Sequence, residues 1–158
     1  MRSQLQGCRR SPVATSAIVL RGLVARLHET EGPDRDLDCQ IDTAIYRIEW
    51  RPYRDDAKMV WGHGPDGAVL RHGRESCPAV TASLDAAQAL LTRALPGWSW
   101  QVHTESRPEA GFCAAVWRSW GRTAYQRRVA EALPTPALAL TFAVLTALLD
   151  DPEADDAL

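Results

Sequence analysis

The chain has 158 residues, of which 46% are hydrophobic and 24% charged, and its formal net charge is −2. This length predicts a single domain with enough apolar residues to form a core. The slight negative charge excludes the strongly basic class of nucleic-acid-binding proteins. Lys58 is the only lysine among the 18 basic residues, and the others are arginines. We attribute this preference for arginine over lysine to a GC-rich genome rather than to a functional use of arginine.

The cysteines and the apolar runs predict the compartment. Cys8, Cys39, Cys77 and Cys113 lie far apart, without the Cys-x-x-Cys spacing of zinc ribbons and redox dithiols. The run "AIVLRGLVA" is interrupted by Arg21, which makes it a poor export signal. The longest run, "PALALTFAVLTALL", is about one-third shorter than the ~20 residues of a membrane-spanning helix. We therefore expect a soluble cytoplasmic protein with reduced thiols and no membrane partner.

The first third of the chain predicts a tail followed by two helices. Residues 1–15 show no periodicity and are expected to be a flexible N-terminal tail. The first helix has one apolar face and is expected to end at Gly32 and Pro33. Its face comprises Ile18, Leu20, Leu23, Val24 and Leu27. A second helix, beginning near Asp34 or Asp36, carries apolar residues at Leu37, Ile41, Ile45 and Ile48.

Residues 51–80 are the least regular part of the chain. They are expected to form either an irregular insertion or a hairpin that turns at "GPDG".

The stretch "SLDAAQALLTRALPGWSW", residues 83–100, changes its period from helical to extended. Thr81 or Ser83 is suited to cap a third helix, which Pro96-Gly97 ends. Beyond it Trp98, Trp100 and Val102 share one face of a strand, and we expect the indoles to be anchored in the core rather than to form a ligand platform.

Two further strands and a last helix complete the predicted domain. "FCAAVWRSW" is apolar at both parities, so both faces of that strand are expected to be covered for most of its length, and "TAYQRRVAEA" predicts a more polar third strand. Thr135 caps and Pro136 begins a helix over 136–149 that is apolar nearly all round and should be deeply buried. Residues 151–158 predict an acidic tail.

The predicted order is α-α-loop-α-β-β-β-α within a single domain spanning residues 16–150. We expect an α+β fold of three α-β-α layers, with an antiparallel three-stranded meander and helices on both of its faces, because both the two-sided apolar strand and the apolar last helix would then be buried. Because a second subunit could cover part of the apolar last helix, both a monomer and a homodimer stay open.

Three stretches of the chain together resemble the phage ABA-sandwich domain family of small phage and prophage proteins. They are "LVARLHETEGPDRDLDCQI" (23–41), "TASLDAAQALLTRALPGWSW" (81–100) and "TPALALTFAVLTALL" (135–149). The resemblance implies an α-β-α sandwich, in agreement with the periodicity. It carries over no catalytic or ligand-binding residues.

The sequence offers little chemistry for catalysis or for a metal or cofactor. It contains no nucleophile elbow, phosphate-binding loop or dinucleotide fingerprint. A metal site formed by His63, Asp66, His72 and Cys77 is disfavoured because their spacing matches no known site.

Two further residues invite a functional interpretation that a structural one outweighs. Cys113 faces His103 across the first two predicted strands, but a thiol in an apolar strand is usually a buried small hydrophobe. Asp38 lies in a first helical turn, where the helix dipole and Arg35 or Arg26 would stabilise it.

The best candidate binding surface combines arginines with aromatic side chains. It comprises Trp117, Arg118, Trp120, Arg122, Tyr125, Arg127 and Arg128. Such a mixture suits a protein interface or single-stranded nucleic acid, but it is also typical of a solvated edge strand. The order α-β-β-β-α over residues 83–149 matches a double-stranded RNA-binding domain, but "LPTPALAL" lacks the basic residues which that domain needs at its last helix.

These observations predict a non-enzymatic accessory protein of a phage or prophage that binds a host or phage protein. Inhibition of host defence, as by an anti-CRISPR protein, fits that expectation by association with the phage resemblance. The protein would act in the cytoplasm of an infected or lysogenic bacterial host, with no cofactor and no metal. The alternative is a nucleic-acid-binding module that uses the arginine-aromatic strand.

Overall fold

The structure, a computed structural model, describes residues 16–53, 56–104, 111–120, 123–128 and 132–150, with the backbone alone at 56–58, 119–120 and 123–128. The described chain has an α+β fold with four α-helices and two antiparallel sheets of three strands each. The helices are α1 (Ala17–Glu29), α2 (Arg35–Tyr46), α3 (Leu84–Ala94) and α4 (Pro136–Leu149), with a short 3-10 helix at Arg74–Ser76. The strands are β1 (Glu49–Tyr53), β2 (Asp56–His63), β3 (Val69–Arg71), β4 (Ser99–Thr104), β5 (Phe112–Trp120) and β6 (Thr123–Arg128).

Three helices begin at capping residues that the sequence predicts. The side chain of Asp34 accepts a hydrogen bond from the backbone N–H of Leu37 at 2.9 Å at the start of α2. Ser83 caps α3, and Thr135 caps α4 immediately before Pro136. Each cap gives a partner to one of the N–H groups that a helix leaves unpaired in its first turn.

Two helix ends differ from the prediction. The first helix ends at Glu29, before Gly32, and Ile18 is 78% exposed rather than part of its buried face. The prediction for Ile18 was wrong because only the narrower stripe of Leu20, Leu23 and Leu27 is buried. Helix α2 ends at Tyr46, so Ile48 is buried from outside the helix.

The hairpin alternative for residues 51–80 is confirmed. Strands β2 and β3 pair on either side of "GPDG", and Gly64 and Ala68 close the turn with a backbone hydrogen bond of 2.9 Å. A third strand, β1, pairs with β2 to complete this first sheet. At Gly62 an added Cβ would lie 2.7 Å from the side chain of Ile48, so glycine permits the close approach of β2 to the core.

The second sheet is the predicted meander, in the order β4-β5-β6. Trp100 pairs with Val116 and Val102 with Ala114, and all four pack into or against the core. Both faces of β5 are covered over residues 113–116, which are all buried, whereas Trp117 is half-buried and Arg118 is exposed. Trp98 and Trp100 also pack against the core, as predicted for anchoring indoles.

Helix α4 is the centre of the fold, and most of its apolar residues are buried, while Phe142 and Leu149 are half-buried. It contacts β4 and β5 of the second sheet as well as α1 and α3. Neighbours from both the sheet and the helices explain why α4 is apolar nearly all round. Helices on both faces of the sheet stay a prediction. No helix in the described part of the chain is both long and apolar enough to cross a membrane.

Candidate partner-binding groove

The hairpin of β5 and β6 carries the surface predicted from arginines and aromatics. Trp117 is half-buried and Arg118 is exposed. The backbone register places Arg118 opposite Tyr125 and Val116 opposite Arg127. The structure does not describe the side chains of Trp120, Tyr125, Arg127 and Arg128. Arg122 lies outside the described residues altogether.

The structure separates the residues considered for a metal site. Asp66 accepts a hydrogen bond from the backbone N–H of Ala68 at 3.1 Å, whereas His72 meets the ring of Trp61 edge-on at 5.0 Å. Nδ1 of His63 lies 3.2 Å from the carbonyl oxygen of Gly67. The described residues contain no group of three or more potential metal ligands.

His103 and Cys113 do face each other, because the register of β4 and β5 makes them direct partners. Cys113 is 5% exposed, while His103 is exposed. The thiol is therefore shielded from solvent, although its strand partner His103 is exposed.

Asp38 is fully buried and joins α2 to the segment before α3. Its carboxylate accepts hydrogen bonds from the backbone N–H of Thr81 at 2.7 Å and from Arg35 at 2.9 Å. The predicted ion pair with Arg35 is confirmed. No local pattern pointed to Thr81, which is 43 residues away along the chain. A buried carboxylate with two such partners is a structural clamp.

A second buried acidic side chain ties α2 to β3. Asp42 accepts two hydrogen bonds from Arg71, from Nε and from Nη2, both at 2.9 Å. This pairing raises the pKa of Arg71. Bidentate geometry makes this one of the stronger kinds of ion pair.

The thiols of Cys39 and Cys77 lie next to this ion pair. Burial, followed by a hydrogen bond with Cys39 and the charge of Asp42, raises the pKa of the Cys77 thiol well above its ordinary value of 9.0. The thiol therefore stays protonated at neutral pH, and a protonated thiol is a poor nucleophile. Cys39 is also buried, but it lies at the floor of a groove that opens to solvent.

This groove lies between α1 and α2 and has a volume of about 690 Å³. Val19, Gly22 and Leu23 of α1 form one side of its apolar floor, and Cys39 and Ala44 of α2 form the other. Three arginines and one carboxylate lie around this floor, namely Arg26, Arg47, Arg74 and Asp36. The groove is therefore a positively charged surface on a chain of net negative charge.

A polar network fixes the wall of the groove that carries Arg26. Its guanidinium lies 3.3 Å from the carboxylate of Asp34 and 3.6 Å from that of Asp36, and it also donates to Gln40. Gln40 in turn donates to Asp36 at 2.7 Å. The charge of Arg26 is thus shared with carboxylates of the chain itself, and this side chain is held in place.

The opposite end of the groove is formed by Trp50 and Arg74. The indole N–H of Trp50 donates to Oγ1 of Thr43 at 2.8 Å, which fixes the ring. The guanidinium of Arg74 lies over that ring, 5.8 Å from its centre, in cation–π geometry. Within the described residues the side chain of Arg74 is exposed and has no carboxylate partner, and it lines the groove.

Arg47 is the third arginine of the groove and has an unusual backbone. It ends α2 with φ 53° and ψ 47°, the left-handed conformation in which glycine is preferred. Its side chain is exposed and forms no hydrogen bond or ion pair within the described part of the chain.

The apolar side of the groove continues onto exposed side chains at the start of α1. Val19 is 46% exposed and the neighbouring Ile18 is 78% exposed. Val19 lines the groove, whereas Ile18 does not, and the two side chains form a small exposed apolar surface at the start of α1. The exposure of Ile18 was not predictable from the sequence, because the helical period assigns this residue to the core.

Comparisons of the chain with family models, with curated proteins and with solved structures found no match. The resemblance to the phage family therefore stays a prediction.

Proposed function

We propose that this chain is a non-enzymatic accessory protein of a phage or prophage that acts by binding another protein through the groove between α1 and α2. The single observation that carries the proposal is the groove itself, with its apolar floor, its arginines and the exposed apolar residues beside it. A small-molecule site encloses most of its ligand, whereas this groove is open to solvent and suits a segment of a partner protein.

The thiols support a binding role over a catalytic one. Cys77 is held in its protonated form and Cys113 is buried in a strand, so neither has the exposed thiolate that nucleophilic catalysis needs. The proposal retains a cytoplasmic location in a bacterial host, the three-layer α-β-α architecture of the resembled family and, by association with that family, inhibition of host defence as by an anti-CRISPR protein.

Capture from a bacterial lysate tests the proposal. The purified full chain is immobilised, the lysate is divided into nuclease-treated and untreated halves, and retained proteins are quantified by mass spectrometry. We expect at least one protein to be retained equally from both halves. Retention of no protein above a blank matrix, or retention that disappears with nuclease, would contradict protein binding as the function.

A nucleic-acid-binding module remains the second candidate, favoured by the exposed Arg118 beside the half-buried Trp117 on β5. A salt-titrated mobility shift against single- and double-stranded DNA and RNA tests it. Binding at low salt that weakens steeply as salt rises, and that is lost on charge reversal at Arg127 and Arg128, would support this candidate. No binding at low salt would exclude it.

A further inference from the structure

We infer that the groove between α1 and α2 takes an acidic segment of its partner, one that places apolar side chains on the groove floor and carboxylates against Arg47 and Arg74. This inference rests on the proposed function and adds the chemistry of the partner. It is argued from charge complementarity and from two residues that helix stability does not explain.

The three arginines of the groove differ in whether they are already paired with carboxylates. Arg26 is held by Asp34 and Asp36, so it contributes little attraction for an incoming anion. Arg47 and Arg74 have no carboxylate partner within the described residues. A partner that supplies carboxylates at these two positions would form charge-assisted hydrogen bonds with guanidinium groups that now face solvent.

Neither Arg47 nor Gly22 is the residue type that would make its helix most stable. Glycine is preferred at the left-handed position after a helix, yet Arg47 occupies it. Alanine is preferred to glycine in a helix interior, yet Gly22 lies within α1. Both residues line the same groove. Their common effect is on the groove, since one adds a positive charge and the other keeps the floor open.

The space above Gly22 is open. A Cβ built at Gly22 would meet no atom within 4 Å, so packing inside the chain does not require glycine there. Because Gly22 lines the groove, a longer side chain at this position would project into it. Glycine therefore leaves this part of the groove floor accessible to a partner side chain.

A peptide segment fits the groove better than a nucleic acid does. The floor is formed by aliphatic side chains and a thiol. Its one aromatic ring, Trp50, is already covered by Arg74 and tied to Thr43, so it is not available for stacking on a base. The net charge of −2 also opposes a polyanion, whereas a short acidic segment meets only the local positive charge.

Selection from a displayed library of random 16-residue peptides tests the inference with the full chain as bait. Parallel selections use the double variant Arg47→Glu/Arg74→Glu and the control Arg21→Glu, which changes an exposed arginine of α1 outside the groove. We expect peptides rich in both carboxylates and apolar residues from the native chain and the control. Basic or neutral peptides, or the same peptides from the double variant, would overturn the inference.

Binding of one selected peptide, labelled and measured by fluorescence anisotropy, then tests the two unusual residues. Gly22→Gln should fill the floor and Arg47→Gly should remove the charge, and each is expected to weaken binding at least about tenfold. Ala25→Gln, which changes an exposed residue of α1 outside the groove, should leave the affinity unchanged. Equal effects of Gly22→Gln and Ala25→Gln would contradict an occupied groove.

Failure of this inference is distinguishable from failure of the proposed function. A protein captured from lysate equally well by the native chain and by Arg47→Glu/Arg74→Glu would overturn the acidic partner but leave protein binding in place. Light scattering of the same proteins examines a second copy as the occupant. A dimer that the double variant abolishes would overturn the inference in favour of self-association.

Discussion

At Arg47 the local backbone conformation and the binding surface place opposite demands on one residue. A side chain with a Cβ in the left-handed conformation is strained, and this strain is removed by glycine. We expect Arg47→Gly to raise the free energy of unfolding by about 0.5–1 kcal/mol in urea denaturation. Arg47→Ala keeps the Cβ and should leave stability within about 0.5 kcal/mol of the native value. Equal stabilisation by both variants would assign the effect to the guanidinium instead.

Cys77 makes stability depend on pH in the alkaline range. Burial raises the pKa of its thiol in the folded state, whereas in the unfolded chain the thiol keeps its ordinary value of 9.0. Above pH 9 the unfolded state has released a proton that the folded state still holds, so stability is complete below pH 9 and falls as pH rises. Tyr46, whose pKa burial also raises, adds to this trend at higher pH.

The contribution of Cys77 is isolated by urea denaturation of the native chain and of Cys77→Ala under reducing conditions between pH 8 and pH 10.5. The native chain is expected to lose stability more steeply, by up to about 1.4 kcal/mol per pH unit. Parallel curves for the two proteins would show that the thiol is not protected in the folded state.

At the scale of elements, the helix caps and the strand alternation were predictable because their signals are local. The helix starts are indicated by capping residues that bind an N–H group only three residues further along, namely Asp34, Ser83 and Thr135. The alternation of Trp100 and Val102 likewise identifies the buried face of β4. Such features need only the chain's own period and short-range hydrogen bonding.

Features that depend on distant parts of the chain were not predictable. Ile18 satisfies the helical period of α1 but is 78% exposed, because none of the described elements covers it. The hydrogen bond from Thr81 to Asp38 and the ion pair of Arg71 with Asp42 join residues far apart in sequence. The groove was missed for the same reason, since it arises only when α1 packs against α2.

The central position of α4 gives a prediction about packing. Leu145 is fully buried on this helix, so Leu145→Ala should lower the free energy of unfolding by about 2–5 kcal/mol through lost contacts and a cavity. Ile18→Ala removes an apolar side chain that is 78% exposed and should change stability by less than about 0.5 kcal/mol. Urea denaturation measures both. A loss at Ile18 as large as that at Leu145 would place Ile18 in the core after all.

At the scale of the whole molecule, one surface brings together features that are separate in the sequence. The second sheet and α4 form the core, α1 and α3 cover α4, and α1 meets α2 to form the groove. The buried pairs of Asp38 and Asp42 hold α2 in place from its other side. The fold thus presents a groove with three arginines around its floor and the half-exposed side chain of Val19 in its lining.

Site-specific photocrosslinking in a bacterial lysate tests binding through this groove most directly. A benzophenone amino acid replaces Val19 in the groove or, as a control, Met59 on β2, which is 50% exposed and does not line the groove. We predict a discrete protein adduct from position 19 that is lost in the Arg47→Glu/Arg74→Glu background, and none from position 59. An adduct from position 59 alone, or equal adducts from both positions, would contradict binding through the groove.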